Sequence, residues 1–550
     1  MYESKKEKKR KENFDQLKIF PIELPLSEIK ENISSDKDET SDNHKESLLI
    51  KAFKLHSEGN IQEAKEYYKK LINQGINNHR VFSNYGLILK YIGNIEEAQV
   101  LLRKAIEIKP DFAEAYSNLG NILKDLGNLK QAQVLLRKAI EIKPDFAVAY
   151  YNLGNILKDL GNLKQAQVLL RKAIEIKPDF TEANYNLGNI LCEIGNFKEA
   201  ELLLLQSIKN KYNFTQSYFA LSILQSSSKE KEWHKKLFSE NILVNQSTKN
   251  HIDIYFARAN IMHKQKNFQE SSKYLELANK LKLKLNPSNS KSFIEKSRTL
   301  LIETDKQNVQ YPENKKKLES IFIVGMPRSG STLLESILSM NTNVNALGEI
   351  NILEKAFLKL QTFKKELTLA EEYWKKISKL KVESNITTNK NLYNYQYTGL
   401  IVKKIPDSKI IHCFRHPLDN ILSIYRAHFG KGNEYSSSIA DCTKIYLDQE
   451  QIMTQYKNRF RSNIYDLSYE KLVSNPKYEI KSLISWLNWK WDDSYLSPHL
   501  NPRLVSTASN VEVRSPINSK SIGGWKNYKD ILIPAIEIIS KTKKYREFID

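Results

Sequence analysis

The chain has 550 residues, which is too long for one ordinary hydrophobic core, so we expect two or more domains. Its net charge of +21 fits lysines scattered over solvated helix faces better than a nucleic-acid surface, because no aromatic and basic cluster accompanies the charge. Three cysteines, no apolar run of about 18 residues and an N-terminus without an apolar signal region predict a cytoplasmic chain with no membrane span.

Residues 1–45 are polar and charged, and we expect a disordered tail there. Next comes a repeat: residues 118–146 recur identically at 152–180, a period of 34, and a Gly-Asn pair such as Gly127-Asn128 marks each unit. This period with helix-turn-helix patterning resembles tetratricopeptide repeats. We expect an α-solenoid over 46–281, with five clear repeats to residue 214 and degenerate repeats after it.

The repeats predict a binding surface for an extended peptide on the concave face of the solenoid. Asparagines recur there at one position of the repeat, and an amide both donates and accepts hydrogen bonds. The alternative, that asparagine is simply usual at this position of the repeat, stays open. The candidate partner-binding residues are Asn84, Asn118, Asn152 and Asn186.

Residues 282–317 lose the period and gain breakers and lysines, which predicts a linker with one helix. From residue 318 to 550, apolar strand-like runs alternate with helical stretches, which predicts an α/β domain with a mostly parallel sheet. The runs SIFIVG, SKIIHCFR and SNIYDLSY are the expected strands. The fold class is therefore α + α/β.

The first of these strands leads into the loop GMPRSGST, residues 325–332, followed by an amphipathic stretch. Backbone N–H groups of such a loop and of the following helix N-terminus bind anions. The loop is P-loop-like, but Ser331 stands where a nucleotide-binding loop has lysine, and Arg328 adds a planar charge. Without the lysine and a carboxylate set for magnesium, a kinase using ATP is the weaker interpretation.

A second motif, KIIHCFRHPLDNILSIYRAHF at 409–429, places Arg415 at the end of a strand and Ser423 on the next helix. Ligands of open α/β sheets collect at this edge. A P-R-S-G-S/T loop followed by an arginine and, eight residues later, a serine resembles the sulfotransferase superfamily, closest to protein-tyrosine sulfotransferases. Bacterial chains that fuse tetratricopeptide repeats to a sulfotransferase domain are similar as well.

The resemblance implies that the donor is PAPS (3′-phosphoadenylyl sulfate), that its product is 3′,5′-adenosine diphosphate, and that no metal is needed. It implies a 5′-phosphosulfate loop, a 3′-phosphate pair, a general base, a lysine for the transferring group and three further cofactor contacts. The 5′-phosphosulfate loop is Arg328, Ser329, Gly330, Ser331 and Thr332, and the 3′-phosphate pair is Arg415 and Ser423. The general base is Glu349, and the lysine is Lys390. The three further cofactor contacts are Tyr469, Ser509 and Arg514. Arg328 is also a catalytic candidate, because it faces charge that develops on the leaving group.

The sequence therefore predicts a sulfotransferase whose repeats recruit a protein or peptide acceptor, with tyrosine as the acceptor residue. Two alternatives stay open: a polysaccharide or small-metabolite acceptor, and a protein-binding scaffold with an inactive α/β domain. His412, His416 and His428 lie close in sequence, but they lack carboxylate or cysteine partners at ligand spacing, so we expect no metal site.

Overall fold

The computed structural model describes residues 39–224, 232–309, 311, 318–362, 367–380, 384–505, 507 and 509–548. The predicted tail lies outside these residues up to position 38, and its last residues, from Glu39, are helical. The chain divides into two compact units. One runs up to Ile190 and includes Lys209–Lys211; the other comprises Leu191–Ile208 and Tyr212–Asp550. Among the described helices, none combines the length and apolar character that a bilayer crossing requires.

The first unit is a series of helical hairpins. Its helices are α1 (Glu39–Ser57), α2 (Ile61–Asn73), α3 (His79–Ile92), α4 (Ile95–Ile108), α5 (Ala113–Asp125), α6 (Leu129–Ile142), α7 (Ala147–Asp159) and α8 (Leu163–Ile176). Helices α9 (Thr181–Ile194) and α10 (Phe197–Asn210) contain the chain positions at which the two units divide.

The repeat explains how each hairpin closes. Gly127 adopts φ 77°, a left-handed conformation that favours glycine, and so turns the chain between α5 and α6. A Cβ atom on Gly120 would lie 3.0 Å from Leu136 Cγ, so glycine there lets the two helices approach closely. Ala132 and Leu136 are fully buried. The small residues of the repeat thus set the spacing within the hairpin.

The second unit continues with helices and then a sheet. Its elements are α11 (Thr215–Ile223), α12 (Glu232–Phe238), α13 (Thr248–Lys264), α14 (Phe268–Leu285), α15 (Ser290–Lys306), β1 (Glu319–Gly325), α16 (Ser331–Leu338), β2 (Val344–Ala346), α17 (Ile352–Thr362), α18 (Leu369–Ile377), β3 (Ile386–Asn389), α19 (Thr398–Lys404), β4 (Lys409–Phe414), α20 (Pro417–Tyr425), α21 (Ile439–Phe460), β5 (Ile464–Ser468), α22 (Tyr469–Ser474), α23 (Pro476–Trp486) and α24 (Ile533–Ile539).

The five described strands form one parallel sheet in the order β2-β3-β1-β4-β5. Strand β1 is central and almost wholly buried, as its continuous apolar run predicts. The fold class is confirmed, and the three expected strands are β1, β4 and β5. Strands β2 and β3 were not predicted, because three or four residues such as ITTN carry no apolar run.

The hairpin of α13 and α14 belongs to the core of the second unit, although its sequence reads as a degenerate repeat. Phe256 and Leu275 lie in one apolar cluster with Ile421 and Trp525. The side-chain amide of Asn279 donates to the backbone oxygen of Tyr425 at 3.0 Å, at the C-terminal end of α20. The hairpin therefore supports the helix that carries Ser423.

Helix α15, expected as part of a linker, is also packed into this core. Ser297, Leu300 and Thr304 are buried along one face of the helix. A Cβ atom on Gly399 would lie 2.2 Å from Thr304 Cγ2, so α15 and α19 are in close contact. The segment that precedes the sheet is thus structural in the second unit and does not act as a free connection.

Candidate functional site

The loop between β1 and α16 has a backbone that few residues could adopt. Gly325, Arg328 and Gly330 have φ values of 141°, 66° and 90°. A Cβ atom on Gly325 would lie 2.2 Å from the backbone oxygen of Cys413, and one on Gly330 would lie 2.6 Å from the ring of Tyr469. Both glycines are therefore required by space as well as by φ.

Buried polar groups line this loop. The Asn420 side-chain amide donates to the backbone oxygen of Pro327 at 2.9 Å and fixes the loop against α20. Ser329 Oγ is buried and has no hydrogen-bond partner among the described residues. Ser331 and Thr332, also buried, begin α16, and Thr332 Oγ1 lies 3.3 Å from Thr507 Oγ1. The predicted donors for an anion are thus gathered at one helix N-terminus.

Arg328 is the centre of this arrangement. Its guanidinium donates to Ser423 Oγ at 3.0 Å, to Ser509 Oγ at 2.5 Å and to Glu512 Oε1 at 2.5 Å. The structure therefore brings together Ser423 and Ser509, which the sequence placed in different motifs. Glu512 was not anticipated, and its side chain is 59% exposed.

Arg415 lies next to Arg328 at the end of β4. Its guanidinium donates to the backbone oxygens of Arg328, at 3.2 Å, and Ser521, at 2.5 Å. It also lies over the Tyr469 ring, 4.7 Å from the centroid, which is a cation–π contact. Arg415 Nε is buried without a partner among the described residues. Tyr469 thus contacts both the loop and the second arginine.

A third arginine, Arg426, was missed by the sequence analysis. Burial lowers the pKa of Arg426, and the positive charges of Arg328 and Arg415 lower it further. Its guanidinium lies over the Tyr528 ring, 5.6 Å from the centroid, within electrostatic reach of both site arginines. The spacing gives a signal that could have been used, because Arg426 follows Ser423 by three residues, about one helical turn.

The C-terminal segment that meets Arg415 is held by Asp419, the third residue of α20. This buried carboxylate accepts hydrogen bonds from the backbone N–H groups of Gly523, at 2.7 Å, and Trp525, at 2.9 Å. The His416 and Trp525 rings stack in parallel, 5.7 Å apart. The backbone oxygen of Ser521 is thereby positioned for Arg415.

The predicted base and the predicted lysine form an ion pair. Lys390 Nζ donates to Glu349 Oε1 at 2.7 Å, with Lys390 fully buried and Glu349 52% exposed. Lys390 follows the C-terminal end of β3, which pairs with β1. Because parallel strands end at the same edge, this pair lies on the side of the sheet from which the loop leaves β1.

Arg514 has a different environment from the one expected of a cofactor contact. Its guanidinium donates to the backbone oxygens of Asn501, Arg503 and Glu193. Burial and the nearby charge of Arg503 lower the pKa of Arg514. In this structure Arg514 fastens the chain around Asn501 and Arg503, close in sequence to Ser509, to the last turn of α9.

The three histidines have other partners. His412 pairs with Asp466 at 3.1 Å and His428 with Asp253 at 3.1 Å, while His416 stacks on Trp525 as described. Within the part of the chain that the structure describes, no group of three or more metal-ligating side chains is gathered.

The repeat asparagines of the first unit face inward to differing degrees. Asn84 is fully buried, and its amide donates to Tyr68 OH at 3.4 Å. Asn152 and Asn186 are half-buried and donate to Ser117 Oγ and to Asn155 Oδ1. Asn118 is half-buried too. In this conformation Asn84 cannot contact a peptide, so an amide ladder would have to consist of the other three.

Two parts of the chain match profiles of known families. Residues 320–493 match the profile of the Sulfotransferase family. Residues 86–127 and 120–161 match a TPR repeat profile, and residues 147–180 and 169–201 match Tetratricopeptide repeat profiles.

The chain is 31% identical over 250 residues to an uncharacterized protein of Aquifex aeolicus, covering 41% of this chain and 33% of that one. It is 22% identical over 251 residues to protein-tyrosine sulfotransferase 2 of Gallus gallus, covering 41% and 67%. It is 22% identical over 248 residues to protein-tyrosine sulfotransferase of Drosophila melanogaster, covering 40% of this chain and 50% of that one. The matches thus span between a third and two thirds of these curated relatives.

Among solved structures, the sulfotransferase domain of the Synechococcus PCC 7002 olefin synthase is 19% identical, covers 42% of this chain and 98% of that one, and gives a TM-score of 0.32. A MamA crystal structure is 27% identical, covers 29% and 94%, and gives a TM-score of 0.26.

Proposed function

We propose, for a chain that joins tetratricopeptide repeats to a sulfotransferase-family domain, that it transfers a sulfuryl group from PAPS to a hydroxyl of a protein or peptide. The observation that carries the proposal is the contact between Arg328 and Arg415 at a glycine-bounded loop, where Arg328 also donates to Ser423 and Ser509. Such a concentration of positive charge suits a ligand with several phosphate or sulfate groups.

The residues present fit such a ligand. Ser329 Oγ and Arg415 Nε are buried donors without partners among the described residues, and a buried donor without a partner costs stability unless a ligand pairs with it. The loop and α16 N-terminus would hold the 5′-phosphosulfate through Arg328, Ser329, Gly330, Ser331 and Thr332, with Ser509 in support. Arg415 and Ser423 would hold the 3′-phosphate, and Tyr469 would contact the nucleotide beside Arg415.

The donor supplies an activated sulfuryl group, and this chain supplies positioning, a base and positive charge. The acceptor oxygen forms a bond to sulfur, the bond from sulfur to the phosphate oxygen breaks, and the products are a sulfate ester and 3′,5′-adenosine diphosphate. Glu349 takes the acceptor proton, for which its half-exposed carboxylate is accessible. Lys390 and Arg328 stabilise the negative charge that appears on the leaving phosphate.

The repeats support a macromolecular acceptor. Tetratricopeptide solenoids present an extended surface, and two of the relatives above are called protein-tyrosine sulfotransferases. We therefore propose tyrosine in a protein or peptide as the acceptor, recruited by the repeats. Asn118, Asn152 and Asn186 are the amides that would contact it.

The first experiment measures binding of 3′,5′-adenosine diphosphate to the full chain by calorimetry. We expect binding to the wild type, and a loss of affinity of at least about tenfold in Arg328→Ala and in Arg415→Ala, because each removes a charge-assisted contact. Arg137→Ala is the matched control, since it removes the same charge from an exposed position of a repeat helix. Wild-type protein that binds ATP with magnesium but not this nucleotide would favour the kinase interpretation instead.

The second experiment follows radiolabelled sulfate from PAPS into a fractionated lysate. Label in tyrosine of the protein fraction supports the proposal, and label in polysaccharide or small molecules assigns a different acceptor. Glu349→Gln should bind the nucleotide like the wild type and lose transfer. Nucleotide binding without transfer to any fraction would leave the scaffold interpretation.

A further inference from the structure

Glu335, a residue to which no motif assigns a role, connects the segments that carry Glu349 and Lys390. It lies in the second turn of α16, directly after the loop, and only 1% of its surface is exposed. A buried carboxylate is retained only where several donors satisfy it. The partners of Glu335 therefore indicate what it does.

One oxygen of the carboxylate contacts both catalytic segments. Glu335 Oε1 accepts hydrogen bonds from the backbone N–H of Gly348 at 3.2 Å and from Thr388 Oγ1 at 3.2 Å. Gly348 directly precedes Glu349, and Thr388 on β3 stands two residues before Lys390. The same atom thus fixes the chain beside each member of the ion pair.

The backbone of Gly348 is held from its other side as well. Its carbonyl oxygen accepts from the Lys390 N–H at 2.9 Å, and the Leu347 N–H donates to the Thr388 oxygen at 2.9 Å. Gly348 adopts φ 67°, a turn that aims the following residue away from the strand direction. Without the Glu335 contact, the Gly348 N–H would lose the bond that fixes this turn.

The other oxygen pairs with a charge from the C-terminal segment. Glu335 Oε2 accepts from Arg503 Nη1 at 2.8 Å, and Arg503 Nε donates to Ser336 Oγ at 3.3 Å. The Arg503 side chain is 14% exposed, so the pair is shielded from water. Arg503 lies in the same segment as Ser509, which contacts Arg328.

We propose that Glu335 is a positioning residue for the transfer reaction: it sets the placement of Glu349 relative to Lys390 through Oε1. This inference rests on the proposed function, because Glu349 and Lys390 act in that reaction. Its role is distinct from nucleotide binding, since its carboxylate bonds to Gly348, Thr388 and Arg503 and, among the described contacts, to neither Arg328 nor Arg415.

The test compares Glu335→Ala with Glu335→Gln and with a control, Glu372→Ala, in the full chain. Glu372 on α18 is equally buried, and its carboxylate is paired with Lys359 on α17. Turnover is measured as release of 3′,5′-adenosine diphosphate from PAPS with a tyrosine-containing peptide, and nucleotide affinity by calorimetry. Hydrogen exchange of residues 347–350 reports the turn directly.

We expect Glu335→Ala to lower kcat by about 10- to 100-fold, as a displaced catalytic group does, with nucleotide affinity within about threefold of wild type. Glu335→Gln keeps an oxygen for Gly348 and Thr388 and should recover much of kcat. Glu372→Ala should lose stability but not kcat. In Glu335→Ala alone, exchange at 347–350 should rise.

Two results would overturn the inference: equal kcat losses in Glu335→Ala and Glu372→Ala, or unchanged exchange at 347–350 in Glu335→Ala. The hydrogen-exchange measurement does not depend on enzyme activity. It therefore tests whether Glu335 fixes the turn even if the proposed transfer reaction is incorrect. A different result would contradict the proposed function: wild-type protein that neither binds the nucleotide nor turns over PAPS.

Discussion

Replacing Lys390 with methionine should separate activity from stability. The ammonium group is fully buried and is paired with Glu349 Oε1 at 2.7 Å. Two unit charges at 2.7 Å attract each other by about 6 kcal/mol at an effective dielectric constant of about 20. Because Glu349 is half-exposed, water screens this attraction further.

The cost of burying the ammonium group opposes that attraction. Removing a charge from water costs several kcal/mol, which is the same order as the screened attraction. Methionine keeps most of the apolar stem and removes both terms together. We therefore expect Lys390→Met to change the free energy of unfolding by less than about 2 kcal/mol in either direction.

Activity should respond differently. If Lys390 stabilises the charge on the leaving phosphate, its loss should lower kcat by about 100- to 1,000-fold, or about 3–4 kcal/mol in the barrier. The measurements are chemical denaturation for stability and release of 3′,5′-adenosine diphosphate for turnover. Nucleotide affinity, measured by calorimetry, should change much less than kcat.

The reverse truncation is the informative control. Glu349→Ala leaves a buried ammonium group without its partner. We expect it to destabilise the chain by about 1–3 kcal/mol, less than the roughly 3–5 kcal/mol that breaking a fully buried pair costs, because Glu349 is half-exposed. The double variant should regain stability and stay inactive. The reasoning is refuted if Lys390→Met is less stable than Glu349→Ala, or if it keeps kcat within about threefold of wild type.

Three further predictions follow from single contacts. Glu512→Gln should raise affinity for 3′,5′-adenosine diphosphate up to about fivefold at low salt, because Glu512 competes with the nucleotide for Arg328 and an exposed ion pair is worth up to about 1 kcal/mol. Unchanged affinity in calorimetry would contradict this competition. Gly330→Ala should weaken the same binding by tenfold or more, since the new Cβ would lie 2.6 Å from the Tyr469 ring at φ 90°, and a normal affinity would show that the loop relaxes. Burial lowers the pKa of His56 from 6.5 to about 4, so between these pH values the unfolded chain binds a proton at His56 and the folded chain does not. The free energy of unfolding should therefore fall by up to about 1.4 kcal/mol per pH unit as the pH drops through this range. Urea denaturation of His56→Gln should show a weaker dependence of stability on pH.

Most of the fold could be predicted from local sequence patterns. The period of 34 fixes where helices turn, because glycine at Gly127 and the small Gly120 act within a single hairpin. Likewise a continuous apolar run predicts the central strand β1, which is buried on both faces. The short strands β2 and β3 could not be predicted, since β3 forms because β1 offers it a partner and β2 forms because β3 does.

Some contacts of the candidate site could likewise be predicted from the sequence and others could not. The spacing of Arg415 and Ser423 within one strand and one helix was readable, and both lie at the Arg328 loop. The role of Arg514 was not readable. Its three carbonyl partners include Glu193, 321 residues away, and no sequence pattern at Arg514 indicates that contact.

By itself, then, the sequence determined the elements whose stability is local: the repeat hairpins, β1 with its loop, and the donors that the loop presents. Only the tertiary structure decided which distant groups complete the site. Arg328 meets Ser423 from 95 positions away and Glu512 from 184, and Glu335 meets Arg503 from 168. These contacts form when the sheet and the C-terminal segment pack together, so their energies depend on the whole fold and not on the order of neighbouring residues.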